Sequence, residues 1–152
     1  MMQASPPPEA LSDDRLALIA KAHLKLTGAP LVESFDPLAL WCAPRVIVAH
    51  GTEADPVFFY GNRAALQLFE MSFAEFSRLP SRFSAEPLAQ AARASLLDRV
   101  ARCGFVDDYS GVRISKSGKR FAIENATVWN LLDDAGVYRG QAATFAVPLN
   151  FL

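Results

Sequence analysis

The residues with chemical potential are few, and they fall into five groups. His50, Glu53 and Asp55 lie close together, but the spacing matches no metal-ligand motif, and Gly51 and Pro56 make the segment a loop. It reads as a solvated acidic loop ahead of a metal site. Asp107, Asp108 and Glu124 form a second acidic group. Glu124 falls mid-strand between Ala122 and Ala126. A buried carboxylate there needs a cation, with Arg113, Arg120 and Lys119 in reach by sequence. A cross-strand ion pair is the simpler reading; a catalytic acid is the alternative. Asn125 is the third feature. It sits between Ile123 and Thr127 on a long apolar strand, where it either offers a polar group to a pocket or ties down nearby backbone. An odd-length turn at Ser117-Gly118 puts Arg113 on the same face. Cys42 and Cys103 lack CxxC spacing and carry no metal or redox signature. His23 lies on a helix stripe with Leu16, Ile19 and Leu26, the pattern of a packed histidine. No Ser/His/Asp or Cys/His arrangement and no Gly-rich phosphate loop is present, so no catalytic constellation emerges.

The elements that position these residues follow from periodicity and punctuation. Residues 1–11 are Pro-rich and read as a flexible N-terminus; residues 12–150 read as one domain. Ser12 caps a helix running to Thr27, with Asp13 and Asp14 in its first turn and Gly28 as its stop. Asp36-Pro37 starts a short helix through Trp41. Arg45–His50 and Val57–Tyr60 are strands. Helices follow at Arg63–Phe69, at Phe73–Leu79 behind a Ser72/Glu75 capping box, and from Pro87 to Arg102. The last carries Leu88, Ala92, Leu96 and Val100 on one stripe. Three strands occupy Gly104–Phe145, divided by Lys116-Ser117-Gly118-Lys119 and Asp133-Asp134-Ala135-Gly136. The fold class is therefore α+β: a five-stranded antiparallel sheet, with the mid-chain helices on one face and an N-terminal helix flanking.

Strict alternation along the middle strand puts Phe121, Ile123, Asn125, Thr127, Trp129 and Leu131 on one face. Ala122, Glu124, Ala126, Val128, Asn130 and Leu132 take the other. Neither face is cleanly polar, so both need cover. The mid-chain helices suit the face of Asn125. The first helix or a second copy of the chain suits the other.

The chain has 152 residues, 51% of them hydrophobic and 20% charged, enough for one sizeable core. A net charge of −1 offers no basic surface, so neither nucleic acid nor an anionic membrane is expected as a partner. The N-terminus lacks a basic, apolar leader, and no apolar run approaches ~20 residues. With unpaired cysteines, a reducing, cytoplasmic setting is expected.

The strings HGTEADPVFFYGNRAALQLFEMSFAEFSRLPSR (50–82), DDYSGVRISKSGKRFAIENATVWNLL (107–132) and YRGQAATF (138–145) resemble the MEKHLA family. That is a PAS-related domain, found alone in bacterial and algal proteins and at the end of some plant homeodomain–leucine-zipper factors. The resemblance implies a sensory or interaction module, with a small molecule between sheet and helices and signalling through association, as a homodimer or with a partner protein. It does not extend to the DNA-linked role of the plant members. On this reading the candidate pocket residues are Asn125, Arg113, Ile123, Phe121, Thr127, Tyr60, Phe83 and Leu96. Two other functions stand beside it: a small enzyme using Glu124, Asp108 or His50 in the same cavity, and a ligand-free dimerisation module.

Cofactors known in similar PAS domains meet residue-level obstacles. Light-sensing flavin domains use an Asn-Cys-Arg-Phe string; here it is Pro80-Ser81-Arg82-Phe83, with no thiol for the adduct. Their Phe-Trp-Asn string is here Phe121-Ala122-Ile123, and Gln141 is the one candidate for their last-strand glutamine. Haem-binding members use a histidine on the long mid-chain helix, and this helix has none. Neither covalent flavin photochemistry nor haem is expected.

Overall fold

A computed structural model describes residues 5–84 and 90–152, with side chains from Ala94 onward in the helix that opens the second span. The predicted helix start at Pro87 and Leu88 of its stripe lie outside the described residues, as does the side chain of Ala92.

The elements run α1 (Glu9–Ser12), α2 (Leu16–Thr27), α3 (Pro37–Cys42), β1 (Val46–His50), β2 (Phe58–Gly61), α4 (Arg63–Phe69) and α5 (Phe73–Phe76). A 3-10 turn (Ser81–Ser84), α6 (Gln90–Cys103), β3 (Phe105–Ile114), β4 (Arg120–Leu132) and β5 (Tyr138–Phe145) complete them. The five strands form one antiparallel sheet in the order β2-β1-β5-β4-β3. Three chain-adjacent pairs, β1/β2, β3/β4 and β4/β5, are antiparallel neighbours, and β5 returns to the centre between β1 and β4. α4, α5, the 3-10 turn and α6 lie against one face.

Local chemistry sets most boundaries. Asp36 accepts from the Leu38 amide at 2.8 Å and Pro37 occupies the first turn, which starts α3. Ser72 and Glu75 form the reciprocal capping box of α5. Gly28, at φ 77°, ends α2 in the left-handed region. The start of α2 differs from expectation. Ser12 closes α1 instead of capping α2, and α2 begins at Leu16 without a side-chain cap. Asp13 is turned aside because its carboxylate holds the Arg15 guanidinium and amide (2.7–2.9 Å). Ahead of that helix, Ala10 on α1 is fully buried.

α2 covers the outer face of the sheet. The Trp129 indole N–H donates to the Ile19 carbonyl at 3.2 Å, and the His23 ring meets Trp129 edge-on at 4.7 Å. The first helix thus takes the place expected for it on this face.

Strict alternation fails on β4, and this is the main correction to the sequence reading. Tyr109 pairs with Ala126 and Gly111 with Ile123, so one residue of β3 faces two of β4. The extra residue lies at Glu124-Asn125, both exposed, and Asn125 sits at φ 52°. This is a β-bulge, and it exchanges the two faces beyond it. Phe121 and Ile123 face the helices as expected. Thereafter Ala126, Val128 and Asn130 face the helices, while Thr127, Trp129 and Leu131 face α2 and the outside. A second bulge, on β3 at the exposed pair Asp107-Asp108, restores the register with β4.

Candidate functional site

β1 and β2 enter the site through one buried asparagine. Asn62 is 0% exposed and caps α4. Its Oδ1 accepts from the amides of Ile47 and Ala65, both at 3.1 Å, and its Nδ2 donates to the carbonyls of Leu40 (3.1 Å) and Arg45 (2.8 Å). One side chain thus joins α3, β1 and α4 and satisfies groups that would otherwise be buried unpaired.

Between the sheet and the helices is a cavity of ≈ 70 Å³. Its sheet wall comes from Val48 and His50 on β1, Tyr109 and Arg113 on β3, Ile123, Ala126 and Val128 on β4, and Gln141, Ala143 and Phe145 on β5. Phe58, Phe69, Leu96 and Leu97 close it from the apolar side, and Ser81 and Ser84 of the 3-10 turn add hydroxyls. Ser84 Oγ donates to the Ser81 carbonyl at 2.7 Å. Gln141 Nε2 donates to Asn130 Oδ1 (3.2 Å), and Asn130 Nδ2 donates to the Val100 carbonyl of α6 (3.3 Å), so the cavity floor is tied to the last turn of that helix. Gly140 permits this stretch of β5. A Cβ there would lie 2.1 Å from the His50 carbonyl oxygen.

The polar groups of the wall are unevenly satisfied. His50 Nδ1 is 3.0 Å from the Gly51 carbonyl oxygen. The Tyr109 hydroxyl is buried and has no hydrogen-bond partner among the described residues. A buried hydroxyl without a partner costs about 1–3 kcal/mol. Arg113 donates to the Val112 carbonyl at 3.3 Å, and its guanidinium carbon stands 5.5 Å from the centre of the Tyr109 ring.

The expected pocket residues separate into three sets. Arg113, Ile123 and Leu96 line the cavity. Phe121 and Tyr60 are fully buried beside it, packed on Phe69 (5.4 Å) and Phe73 (6.3 Å) respectively. Burial pushes the Tyr60 hydroxyl far above the usual phenol range. Asn125, Thr127 and Phe83 are elsewhere. The bulge turns Asn125 to the exposed side and Thr127 to the outer face. Phe83 is 53% exposed under the Arg82 guanidinium. Tyr109, Ser84, Leu97 and Phe145 were not singled out from sequence. The two acids considered as catalytic bases are also outside the cavity: Glu124 is exposed on the outer face, and Asp108 is exposed and paired with Arg99 at 2.8 Å. Of the acidic loop, Glu53 accepts from the Val57 amide (3.2 Å) and Asp55 holds Arg82 (3.0 Å), so both close the loop.

The MEKHLA domain model matches residues 13–147, nearly the whole described fold. The chain belongs to the MEKHLA family. A curated relative is the homeobox-leucine zipper protein ATHB-9 of Arabidopsis thaliana, 26% identical over 83 residues. The match takes in 55% of this chain and 10% of that protein, so the chain spans about a tenth of the length of this relative. Among solved structures, the MEKHLA chain is similar to a PAS domain from Colwellia psychrerythraea (TM-score 0.63, 14% identity, 72% of this chain and 91% of that one). It is likewise similar to the light-state dimer of the fungal blue-light photoreceptor Vivid (TM-score 0.63, 17% identity, 95% and 99%). The MEKHLA fold is therefore a PAS fold.

The described lining of this MEKHLA cavity lacks two of the groups that light-sensing flavin domains use. Ser81, buried at 5% exposure, offers no thiol to the cavity, and Ile123 presents no amide there. Gln141 does reach the cavity wall. Pockets for drug-sized ligands occupy about 300–1,000 Å³, several times the ≈ 70 Å³ found.

Proposed function

We propose that this MEKHLA domain is a sensory module whose cavity holds a molecule of a few heavy atoms, and that occupancy alters its association with a second copy or another protein. The cavity itself carries the reading: it is mostly apolar, with a small number of convergent polar groups from β1, β3, β5 and the 3-10 turn. An apolar cavity of roughly 150 Å³ holds a benzene, so ≈ 70 Å³ suits about three to five heavy atoms. The PAS fold supports a sensory or interaction role, and the photoreceptor that shares it forms a light-state dimer. An enzyme in the same cavity loses two of its three candidate bases, because Glu124 and Asp108 stand outside it, and keeps His50 of the wall. A ligand-free dimerisation module is the second reading, and the small volume of the cavity favours it.

The test is chemical analysis of the purified protein. Small molecules released on denaturation are identified by mass spectrometry, and sedimentation measures association before and after their removal. A stoichiometric ligand of this size, with association that depends on it, supports the proposal. A filled Ala126→Phe cavity that leaves ligand content and association unchanged would falsify it. A stoichiometric flavin, visible by its absorbance, would overturn the size argument.

A further inference from the structure

We propose that the cavity is a receptor for a small carboxylate anion, with the Tyr109 hydroxyl and the Arg113 guanidinium as its two donors. This rests on the cavity being a ligand site, and it names the ligand class.

The two donors are placed by β3. Tyr109, Gly111 and Arg113 alternate onto the helix-facing side, opposite Ala126, Ile123 and Phe121. Gly111 is what lets them converge. A Cβ at this position would lie 2.5 Å from the Tyr109 hydroxyl oxygen and 3.0 Å from Cζ. The tyrosine ring therefore lies along its own strand, over the glycine and toward Arg113. Tyr109 is 6% exposed, and its hydroxyl has no partner among the described residues. Arg113 has the Val112 carbonyl and the tyrosine ring, and no carboxylate partner among the described residues.

Among the described residues, the formal charge lining the cavity has one sign. The acidic residues of β3, Asp107 and Asp108, are both exposed at the bulge. Glu124, the acid of β4, is on the exposed outer side of its own bulge. Among the described residues Arg113 is the Lys, Arg, Asp or Glu of the cavity wall, and the neighbouring side chains from Ile123 and Leu96 are apolar. An anion entering this site meets a cation that offsets its desolvation, together with a hydroxyl that needs an acceptor. The carboxylate accepts from both donors, and a short alkyl tail takes the apolar side. Propionate and acetate are of the right size.

The experiment uses the full chain, stripped of bound small molecules, with sodium propionate and acetate titrated by calorimetry against propionamide and acetamide at constant ionic strength. Xenon serves as an apolar probe of the same space. Propionate is expected to bind about tenfold or more tighter than propionamide, because only the anion makes charge-assisted bonds. Tyr109→Phe, which removes one oxygen, and Arg113→Gln should each weaken propionate by about tenfold with little change for xenon. Gly111→Ala should weaken it too by displacing the ring. If the amides or xenon bind and the carboxylates do not, the cavity remains a ligand site and the anion assignment falls. If neither class binds and a crystal structure in propionate shows only water beside Tyr109, both readings fall.

Discussion

Asn62 does at one position what three elements need. Its oxygen takes two buried amides and its nitrogen serves two carbonyls, at distances of 2.8–3.1 Å. Truncation strands partners inside the fold, where each unsatisfied group costs about 1–3 kcal/mol. Asn62→Ala is therefore expected to lower stability by about 3 kcal/mol in urea titration. Ser72→Ala, at the exposed cap of α5, should cost about 1 kcal/mol. Equal losses would show that Asn62 acts only as a cap. Two helix starts were legible in the sequence because capping is local: Asp36 before Pro37 and Ser72 three residues before Glu75 announce themselves within four residues, whereas Ser12, read the same way, closes α1, and the cap at Asn62 was not singled out. Tyr109 was not legible. Its importance depends on Gly111 beneath it and on Arg113 beyond, and no local rule marks that triplet.

At the level of the element, β4 shows where alternation stops being informative. The strand, its length and its partners follow from the apolar run and its turns. Which side chains face the helices does not, because one inserted residue reverses every face after it. The adjacent polar pairs Glu124-Asn125 and Asp107-Asp108 are the traces the bulges leave in the sequence, and Asn is a residue that tolerates φ > 0. Arg113, Ile123 and Leu96 line the cavity, since they lie before the β4 bulge or on another element. Asn125 and Thr127 were misplaced because they lie at it and after it. The bulge makes its own prediction. Asn125 sits at φ 52° with its side chain exposed, so Asn125→Gly should change stability by less than about 1 kcal/mol. Asn125→Val, which is β-branched, should cost about 1–3 kcal/mol. Neither should change the affinity of the cavity for a ligand. If Asn125→Gly altered binding while leaving the melting curve intact, the residue would belong to the site after all.

At the scale of the whole molecule, the helical layer and the sheet are joined by polar contacts at the β3–β4 turn and by α2 on the far face, and both joints titrate. Glu70, at the end of α4, accepts from the Ser117 amide and hydroxyl and lies 3.4 Å from Lys119, while Glu75 pairs with Lys116. The hydroxyls of Ser115 and Ser117, then the Ser117 amide, hold the Glu70 carboxyl at about 2, below its ordinary 4.5. Glu75 is lowered as well, chiefly by Lys116. On the other face, burial lowers His23 from its ordinary 6.5; the Ala29 carbonyl opposes this and Arg45 adds to it. In all three groups the folded state holds its proton less tightly than the unfolded chain. Their contributions are therefore complete at neutral pH and lost toward acid. The His23 contribution should fade as pH drops below about 6.5, and the Glu70 contribution between about 4.5 and 2. Melting temperature measured against pH should accordingly fall in two stages. His23→Gln should flatten the upper stage, and Glu70→Gln should shrink the lower one while leaving the upper unchanged. A single decline confined below pH 4.5 in the wild-type protein would mean that His23 and the α2 contact it makes with Trp129 do not couple to protonation.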